Sequence, residues 1–438
     1  MGLTQTLHTG VSGLSSQSDG MGVVANNIAN ANAKGFKRDR AEFEDMILND
    51  TSAGSKHEKV GRGARIKDIR TIHSQGNLTT TDNLTDLAIQ GGGMFILNNP
   101  EASKDSSEGR MYTRSGSFIF DREGYLADLS GARVQGYEAL PNGQISSRIG
   151  DFRINTNSIP PHATESMRLD MNLDARAKVI EGDFDVKQPD STSNFGTSVA
   201  VFDSFGRTHQ LQLFFKRMTD GEESSWKWYA VADGKEIVNP DGDLHVVANG
   251  ELKFNAKGEL AEQTTEKSEA NFAGGAAAGQ AINFDFGKKV ADEVKQAVGG
   301  TTCLAAKSGT NYHTQDGYES GMIKALRVDP TGVVRGIYTN GLNRNLGAVA
   351  LATFENVDGL RKGGRNMFFQ TMESGPAKVG MAQTSNRGSI WSSTLEESNV
   401  DIAQEFVNMI LTQRAFQANS RSITTTDTMI EEVLNLKR

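Results

Sequence analysis

Apolar residues recur every seven positions at the two ends of the chain and every two positions through much of its middle. Near the start, Leu7, Leu14, Met21 and Ile28 form a heptad stripe, with Leu3, Val11 and Val24 close to the intermediate positions. That spacing keeps one seam of a helix apolar. At the far end Ile402, Met409, Phe416, Ile423 and Ile430 repeat the period. Phe406 and Leu434 occupy the second heptad position, which Gln413, Ser420 and Asp427 fill between them. One C-terminal seam is therefore apolar and the other is compromised. Gly10, Gly13 and Gly20 interrupt the N-terminal stripe, each costing about 1 kcal/mol relative to alanine inside a helix. Two such helices pair weakly on their own. Because chain termini often lie close together, the pattern predicts terminal helices that pair and complete their burial against copies of the chain, and non-closing contacts of that kind build helical filaments.

The stretch VVANNIANANAKGFKRDR places Asn26, Asn27, Asn30 and Asn32 at the end of the first helical pattern. Asparagine competes for backbone hydrogen bonds and is a poor interior helix residue. The run therefore predicts a helix stop, with Asn32 or Gly35 entering the left-handed conformation and the amides left to bond across subunits. A plain cap and turn with no partner role is the alternative.

From about residue 71 the period becomes strand-like. GGGMFIL (91–97) reads as a strand after a turn. SFIFDREGYLAD (117–128) reads as two strands around Asp121 to Gly124, and SVAVFDSFGRTHQLQLFFKR (198–217) as a hairpin with Leu211, Leu213 and Phe215 on one face. IKALRVDPTGVVRGIY returns to strands, with turn residues at Asp329, Pro330 and Gly332. Residues 99–110 read as a loop. NFAGGAAAGQ (271–280) reads as a loose loop or boundary, and VADEVKQAVGG (290–300) as a short helix. The expectation is an α+β chain of discontinuous, nested domains, with a terminal α-helical coiled-coil domain and two mainly antiparallel β domains. Its boundaries would be 1–70 with 389–438 for the axial helices and their connector, 71–158 with 319–388 for an inner β domain, and 159–318 for an inserted outer β domain.

Composition narrows the function. A net charge of -8 without a long basic run argues against nucleic-acid binding, which neutralises phosphates with Lys and Arg. The single cysteine, Cys303, excludes an intrachain disulfide framework. The N-terminal stretch has neither a basic region nor an apolar core of the kind a cleaved secretory signal carries. No apolar run reaches the roughly 18 residues of a membrane span. A soluble cytoplasmic protein is the default unless a dedicated export route exists. The histidines at 8, 57, 73, 162, 209, 245 and 313 stand at no metal-ligand spacing, which leaves them surface or satisfied structural roles. The chain has no GxSxG, P-loop or HExxH, and Gly91 to Gly93 precede a strand rather than opening a helix. No active site, metal or cofactor is expected. Cys303 and Lys307 would share a face if TTCLAAKSG were helical; a buried small hydrophobe is the competing reading of the cysteine.

VVANNIANANAKGFKR near the start and SNVDIAQEFVNMILTQRAFQANSRSITTTDTMIEEVLNL at the end closely resemble the terminal signatures of bacterial flagellar rod, hook and hook-associated proteins. SVAVFDSFGRTHQLQLFFKR, YTNGLNRNLGAVALATFENVDGLRKGGRNMFFQT (338–371) and GARVQGY (131–137) are similar to the β domains of the family's hook branch, least securely so between about 250 and 317. The resemblance implies a structural subunit, not an enzyme. It would polymerise into a curved hollow tube and act as a universal joint that passes motor torque to the filament, with no cofactor. It also implies homopolymeric packing through Leu7, Leu14, Met21, Ile28, Ile402, Phe406, Met409, Phe416, Ile423, Ile430 and Leu434, and a family motif at Asn26, Asn27, Asn30, Asn32, Gly35 and Phe36. The implied partners are rod, hook-cap and hook-filament junction proteins and the flagellar type III export apparatus, which would deliver the chain outside the cell without a signal peptide or membrane insertion. Some members cross-link subunits through a cysteine and a lysine, and Cys303 falls where the resemblance is poorest. A distal rod or junction protein is the near alternative, and a β-rich surface hydrolase or adhesin the distant one.

Overall fold

The computed structural model describes residues 3–47, 61–100, 109–140, 143–154, 158–219, 224–238, 240, 242–287 and 300–436. Among these the chain is mostly β-sheet, with helices α1 (Leu3–Ala29), α2 (Pro189–Thr192) and α3 (Ile402–Leu436). It divides into two compact units. One comprises Met1–Thr156, Lys324–Ile337 and Asn343–Arg438, and the other Asn157–Ile323 and Tyr338–Leu342.

In the first unit, α1 is followed by an antiparallel hairpin of β1 (Asp39–Ile47) and β2 (Gly61–Thr71). Sequence periodicity does not reveal this hairpin, because most of its positions are partly or fully exposed and charges interrupt the alternation. Strands β3 (Leu78–Thr80), β4 (Leu87–Gln90), β5 (Met94–Asn98) and β6 (Arg110–Thr113) follow. The run GGGMFIL supplies β5, which belongs to a twelve-stranded sheet together with Arg133–Ala139 and Asn343–Thr353. Its core holds Phe95, Ile96, Leu97, Val134 and the small-residue run Ala348 to Ala352, none of them exposed. The expected turn at Asp121 is present. Ile119–Phe120 pairs with Leu126–Ala127, and the Asp121 carboxylate accepts from the Glu123 and Tyr125 amides at 2.8 Å each.

The two ends of the chain are tied together by strands and by a buried ionic knot. Ser389–Ser392 pairs with β4 and Thr394–Glu396 with β3, both antiparallel. Glu396 and Lys37 are fully buried, their charged groups 2.5 Å apart. The other Glu396 oxygen faces Arg114 Nη1 at 3.3 Å, and the Gly76 amide donates to Oε1 at 3.0 Å. Burial pushes the Lys37 ammonium pKa down, and the Glu396 charge opposes that shift. The Glu396 carbonyl accepts from the Gly35 amide at 2.8 Å. Gly35 has φ +68°, and a side chain there would strike the backbone of Ser115. Of the two residues expected to turn left-handed, Gly35 does so; Asn32 is not among the positive-φ residues. Asn399 completes the seam. Its oxygen accepts from the Arg38 amide at 2.7 Å, and its nitrogen donates to the Ile72 carbonyl at 2.7 Å.

The second unit is a two-layer β structure. A six-stranded antiparallel meander runs in chain order from Phe195–Phe202 to Gln280–Ala281. The predicted hairpin forms its first two strands, with Leu211, Leu213 and Phe215 on the buried face. They join Trp226, Trp228, Leu252 and Phe254 in one core with Met167, Leu169, Met171 and Leu173 of the neighbouring sheet. Most pairings of this unit are antiparallel, but in that sheet Ser166–Asp174 runs parallel to both Asn283–Asp285 and Thr302–Leu304. The stretch 271–280 is not a boundary between units. It lies within this one, anchored by buried Phe272 against the His209 ring 4.1 Å away. Cys303 sits in a strand, buried in the core, so the helical face shared with Lys307 does not exist. Residues 290–299, expected as part of a short helix, lie outside the described residues.

Removing the Glu396 charge leaves two cations short of their carboxylate, one of them fully buried, so Glu396→Gln is expected to lower the unfolding free energy of its unit by about 3–5 kcal/mol. Glu397→Gln, at the half-exposed Lys34 pair, should cost under about 1 kcal/mol. Urea unfolding followed by circular dichroism checks both, and equal effects would deny the knot its structural weight. His73, tilted on Phe368 at 5.3 Å, has its pKa lowered from 6.5 to about 4, mainly by burial. The folded chain thus holds this ring neutral while the unfolded chain takes up a proton. The contribution is complete above pH 6.5 and is lost as pH falls through about 4. His73→Gln should flatten the loss of Tm between those values, and parallel Tm curves for the two proteins would refute this.

Candidate functional site: the terminal helix pair

α3 runs antiparallel to α1. Asn27 meets Glu405 with an amide-to-carboxylate hydrogen bond of 3.2 Å. Farther along, Gly13 abuts Asn419 and Gly10 abuts Ile423. A Cβ on Gly10 or Gly13 would come within 2.7 Å of those side chains, so the glycines that weaken α1 as a helix also admit α3 at close range. The buried positions of α1 are small or polar, Gly10, Ser16, Gly20 and Asn27, with Val23 as the one larger apolar residue. On α3 the innermost are Glu405 and Thr426, with Thr412, Asn419 and Ile423 half-buried. β2 packs on another side of α1, where Ser16 Oγ donates to the Ala64 carbonyl at 2.7 Å and Ser12 Oγ to the Arg62 carbonyl at 3.4 Å.

The expected interface residues are distributed unevenly around this pair. Leu7, Leu14, Met21 and Ile28 are half-buried along α1, as are Met409, Ile423 and Ile430 on α3. Ile402, Phe406 and Phe416 are exposed, and Leu434 lies in the last turn of α3. Residues that heptad counting did not flag are exposed beside them: Val407, Ile410 at 50% and Leu411 at 60%. Through its first three turns α3 exposes these apolar side chains over much of the surface that does not meet α1, with Gln404 exposed among them. Clustered exposed apolar residues of this kind mark a surface that a partner covers.

The asparagines divide by role. Asn27 is buried, donating to the Asp39 carbonyl at 2.8 Å and accepting from the Asp39 amide at 2.9 Å. Its carboxamide is thus spent within the chain, contrary to the expectation of amides left for a neighbour. Asn30 donates to the Asn26 carbonyl at 2.9 Å. Asn26 and Asn32 are exposed, and Phe36 is buried beneath the Lys362 ammonium. Glu405 also faces Arg38 Nη1 at 3.6 Å. Polar capping at 27, 39 and 405 therefore locks the exit of α1 onto the start of α3.

Among the described residues no group of three or more His, Cys, Asp or Glu side chains is arranged to hold a metal, and no helix is long and apolar enough to cross a membrane. His209 is satisfied, its ring nitrogens lying 2.9 Å from Glu236 and 3.3 Å from Asp203.

Four family models match the chain. They are a flagella basal body rod protein model over 7–37, a flagellar hook protein FlgE/F/G D1 domain over 88–166, a flagellar basal body protein FlaE D2 domain over 172–318, and a flagellar basal body rod FlgEFG protein C-terminal model over 392–436. The flagellar hook protein FlgE of Treponema pallidum is 34% identical over 100% of both chains. That of Salmonella typhimurium is 31% identical over 98% of each. The crystal structure of Helicobacter pylori flagellar hook protein FlgE2 aligns with a TM-score of 0.51 at 13% identity, covering 71% of this chain and 98% of that one, a likeness of fold. With similarity of that level over the whole of both chains, the chain belongs to the flagellar hook protein FlgE family, a structural family and not one of enzymes.

Proposed function

We propose that this hook subunit polymerises into a curved, hollow tube and serves as a universal joint between motor and filament, with α1 and α3 of successive copies forming the inner layer. The supporting observation is the apolar surface that the first turns of α3 expose. Ile402, Phe406, Val407, Ile410 and Leu411 are each about half exposed, and covering them in an assembly would contribute on the order of 5 kcal/mol per subunit. The nested assignment fits this reading, with 1–70 and 389–438 as the axial helical domain, 71–158 and 319–388 as an inner β domain, and 159–318 as the outer one. Outer β domains that meet neighbours through polar, exchangeable contacts let the tube bend while the helical layer keeps it continuous.

The partners on this reading are further copies of the chain, the rod below, the cap and junction proteins above, and the type III apparatus that exports the subunit unfolded. A terminal helix pair with a glycine-rich member is suited to that route, because it stays too weak to nucleate polymers before export.

Electron microscopy of the purified full-length chain after salting-out tests the reading. Curved hollow tubes are expected from the full chain, and none from a chain lacking residues 1–33. Straight tubes would point to a rod subunit, and tubes formed without residues 1–33 would remove the terminal helices from the mechanism.

A further inference from the structure

The helix pair carries two surfaces on opposite sides that fit each other rather than themselves. Gly13, which abuts Asn419, and Gly22 are nine residues apart on α1, two and a half turns, so Gly22 points away from α3. Around Gly22, on that far side, Ser18, Asp19, Gly22, Val23 and Asn26 form a groove of about 500 Å³ with Asp39, Ile66 and Ile69 of the hairpin. A Cβ on Gly22 would meet nothing within 4 Å, and Ile69 is half exposed at the edge.

α3 shows the complementary relief. Asn419 and Ile410 are also nine residues apart, so Ile410 points away from α1. Phe406, Ile410 and Arg414 recur every four residues along that outer face, exposed. The knobs match the spacing of the groove's α1 wall, since Ser18, Gly22 and Asn26 also recur every four, and Val23, Ile66 and Ile69 supply the groove with apolar lining.

We infer that the outer face of α3 in one subunit docks into the α1–β2 groove of a neighbouring copy at about the same height along the helix pair. This rests on the polymer reading above. The register supports it. The antiparallel pairing of Asn27 with Glu405 and Gly13 with Asn419 sets Phe406 level with Asn26, Ile410 with Gly22 and Arg414 with Ser18, one residue from the groove's exposed Asp19. A neighbour displaced sideways without a large rise therefore brings Phe406 opposite Asn26, Ile410 opposite the open Gly22, and the Arg414 guanidinium beside Ser18 within a residue of the Asp19 carboxylate. Because groove and knob are different surfaces, the contact is heterologous and leaves a free groove and a free knob at the ends of any row of subunits, which is the condition for open growth.

Two full-length variants test this. Gly22→Leu fills the groove from open space and replaces a poor helix former with a good one, so the monomer should keep its circular dichroism and Tm while its critical concentration for polymerisation rises by about tenfold or more. Ile410→Asp removes the knob and leaves the groove intact. Should it disturb α3, Arg414→Asp takes its place. Each variant alone should stay monomeric at concentrations where the wild type polymerises. Mixed, they should sediment as a 1:1 complex, because one intact knob still meets one intact groove. A wild-type chain that forms no polymer under any condition overturns the hook-subunit reading itself. A polymerising wild type with Gly22→Leu assembling at the same concentration, or two monomeric variants that form no complex when mixed, overturns the docking alone.

Discussion

The first unit is organised around one buried carboxylate. Glu396 receives the Lys37 ammonium, the Arg114 guanidinium and the Gly76 amide through its side chain, and the Gly35 amide through its carbonyl. These groups come from the exit of α1, the loop after β2, the residue that follows β6 and the return to α3, so a single side chain fixes where both terminal helices leave the β layer. The desolvation cost of burying such charges is large unless every partner is in place. That cost makes the arrangement specific: a shift of either arm would leave a cation or a carboxylate in the interior without its counterion. An apolar seam of equal size would hold the arms together but would tolerate slippage of the kind that strand pairs undergo.

What lies beyond the knot is held far less tightly, and the contrast has a physical origin. The interface of α1 with α3 is built mostly from glycine, threonine, asparagine and Glu405, with Ile423 against Gly10, which allow close approach but bury little apolar area. The larger side chains in the first turns of α3, Phe406, Val407, Ile410 and Leu411, are exposed. The polar locks at Asn27 and Glu405 hold the knot end of the pair, while toward the other end contact depends on Gly10 and Gly13 meeting Ile423 and Asn419. The pair is thereby directed at one end and incomplete along its length, an arrangement suited to a segment that gains most of its burial from neighbours.

Much of this was legible in the sequence wherever one residue type dictates one geometry. The turn at Asp121, the face made by Leu211, Leu213 and Phe215, and the left-handed Gly35 follow from side-chain and backbone preferences that act locally. The β1–β2 hairpin was not legible, since its strands are charged and its support comes from serine hydroxyls of α1 meeting backbone carbonyls. Heptad counting picked out Met409, Ile423 and Ile430, of which Ile423 meets Gly10 of α1, but passed over Glu405, Thr412, Asn419 and Thr426. These also recur every seven residues and are polar, so a search for apolar residues alone slides off them. Cys303 was left open between a helix face and the core because a short run such as TTCLAAKSG has no period long enough to decide.

The same distinction bears on how a tube of such subunits bends. Bending needs contacts that exchange at little cost beside others that do not move. A seam of large interlocking apolar side chains resists exchange, because each displaced side chain leaves a cavity or an overlap behind it. Rows of small and polar residues are smoother, and the register of α1 against α3 rests on the hydrogen bonds of Asn27 and Glu405 at one end rather than on interlocking along the length. The knot at Glu396 then supplies the fixed point about which each pair is carried. Bending is accommodated first between the outer β domains; the strain that reaches the helix layer is expected to be taken up within each pair beyond Asn27 and Glu405, where α1 meets α3 through small side chains, and to spare the charged interior beneath Gly35, where movement would uncover a buried charge.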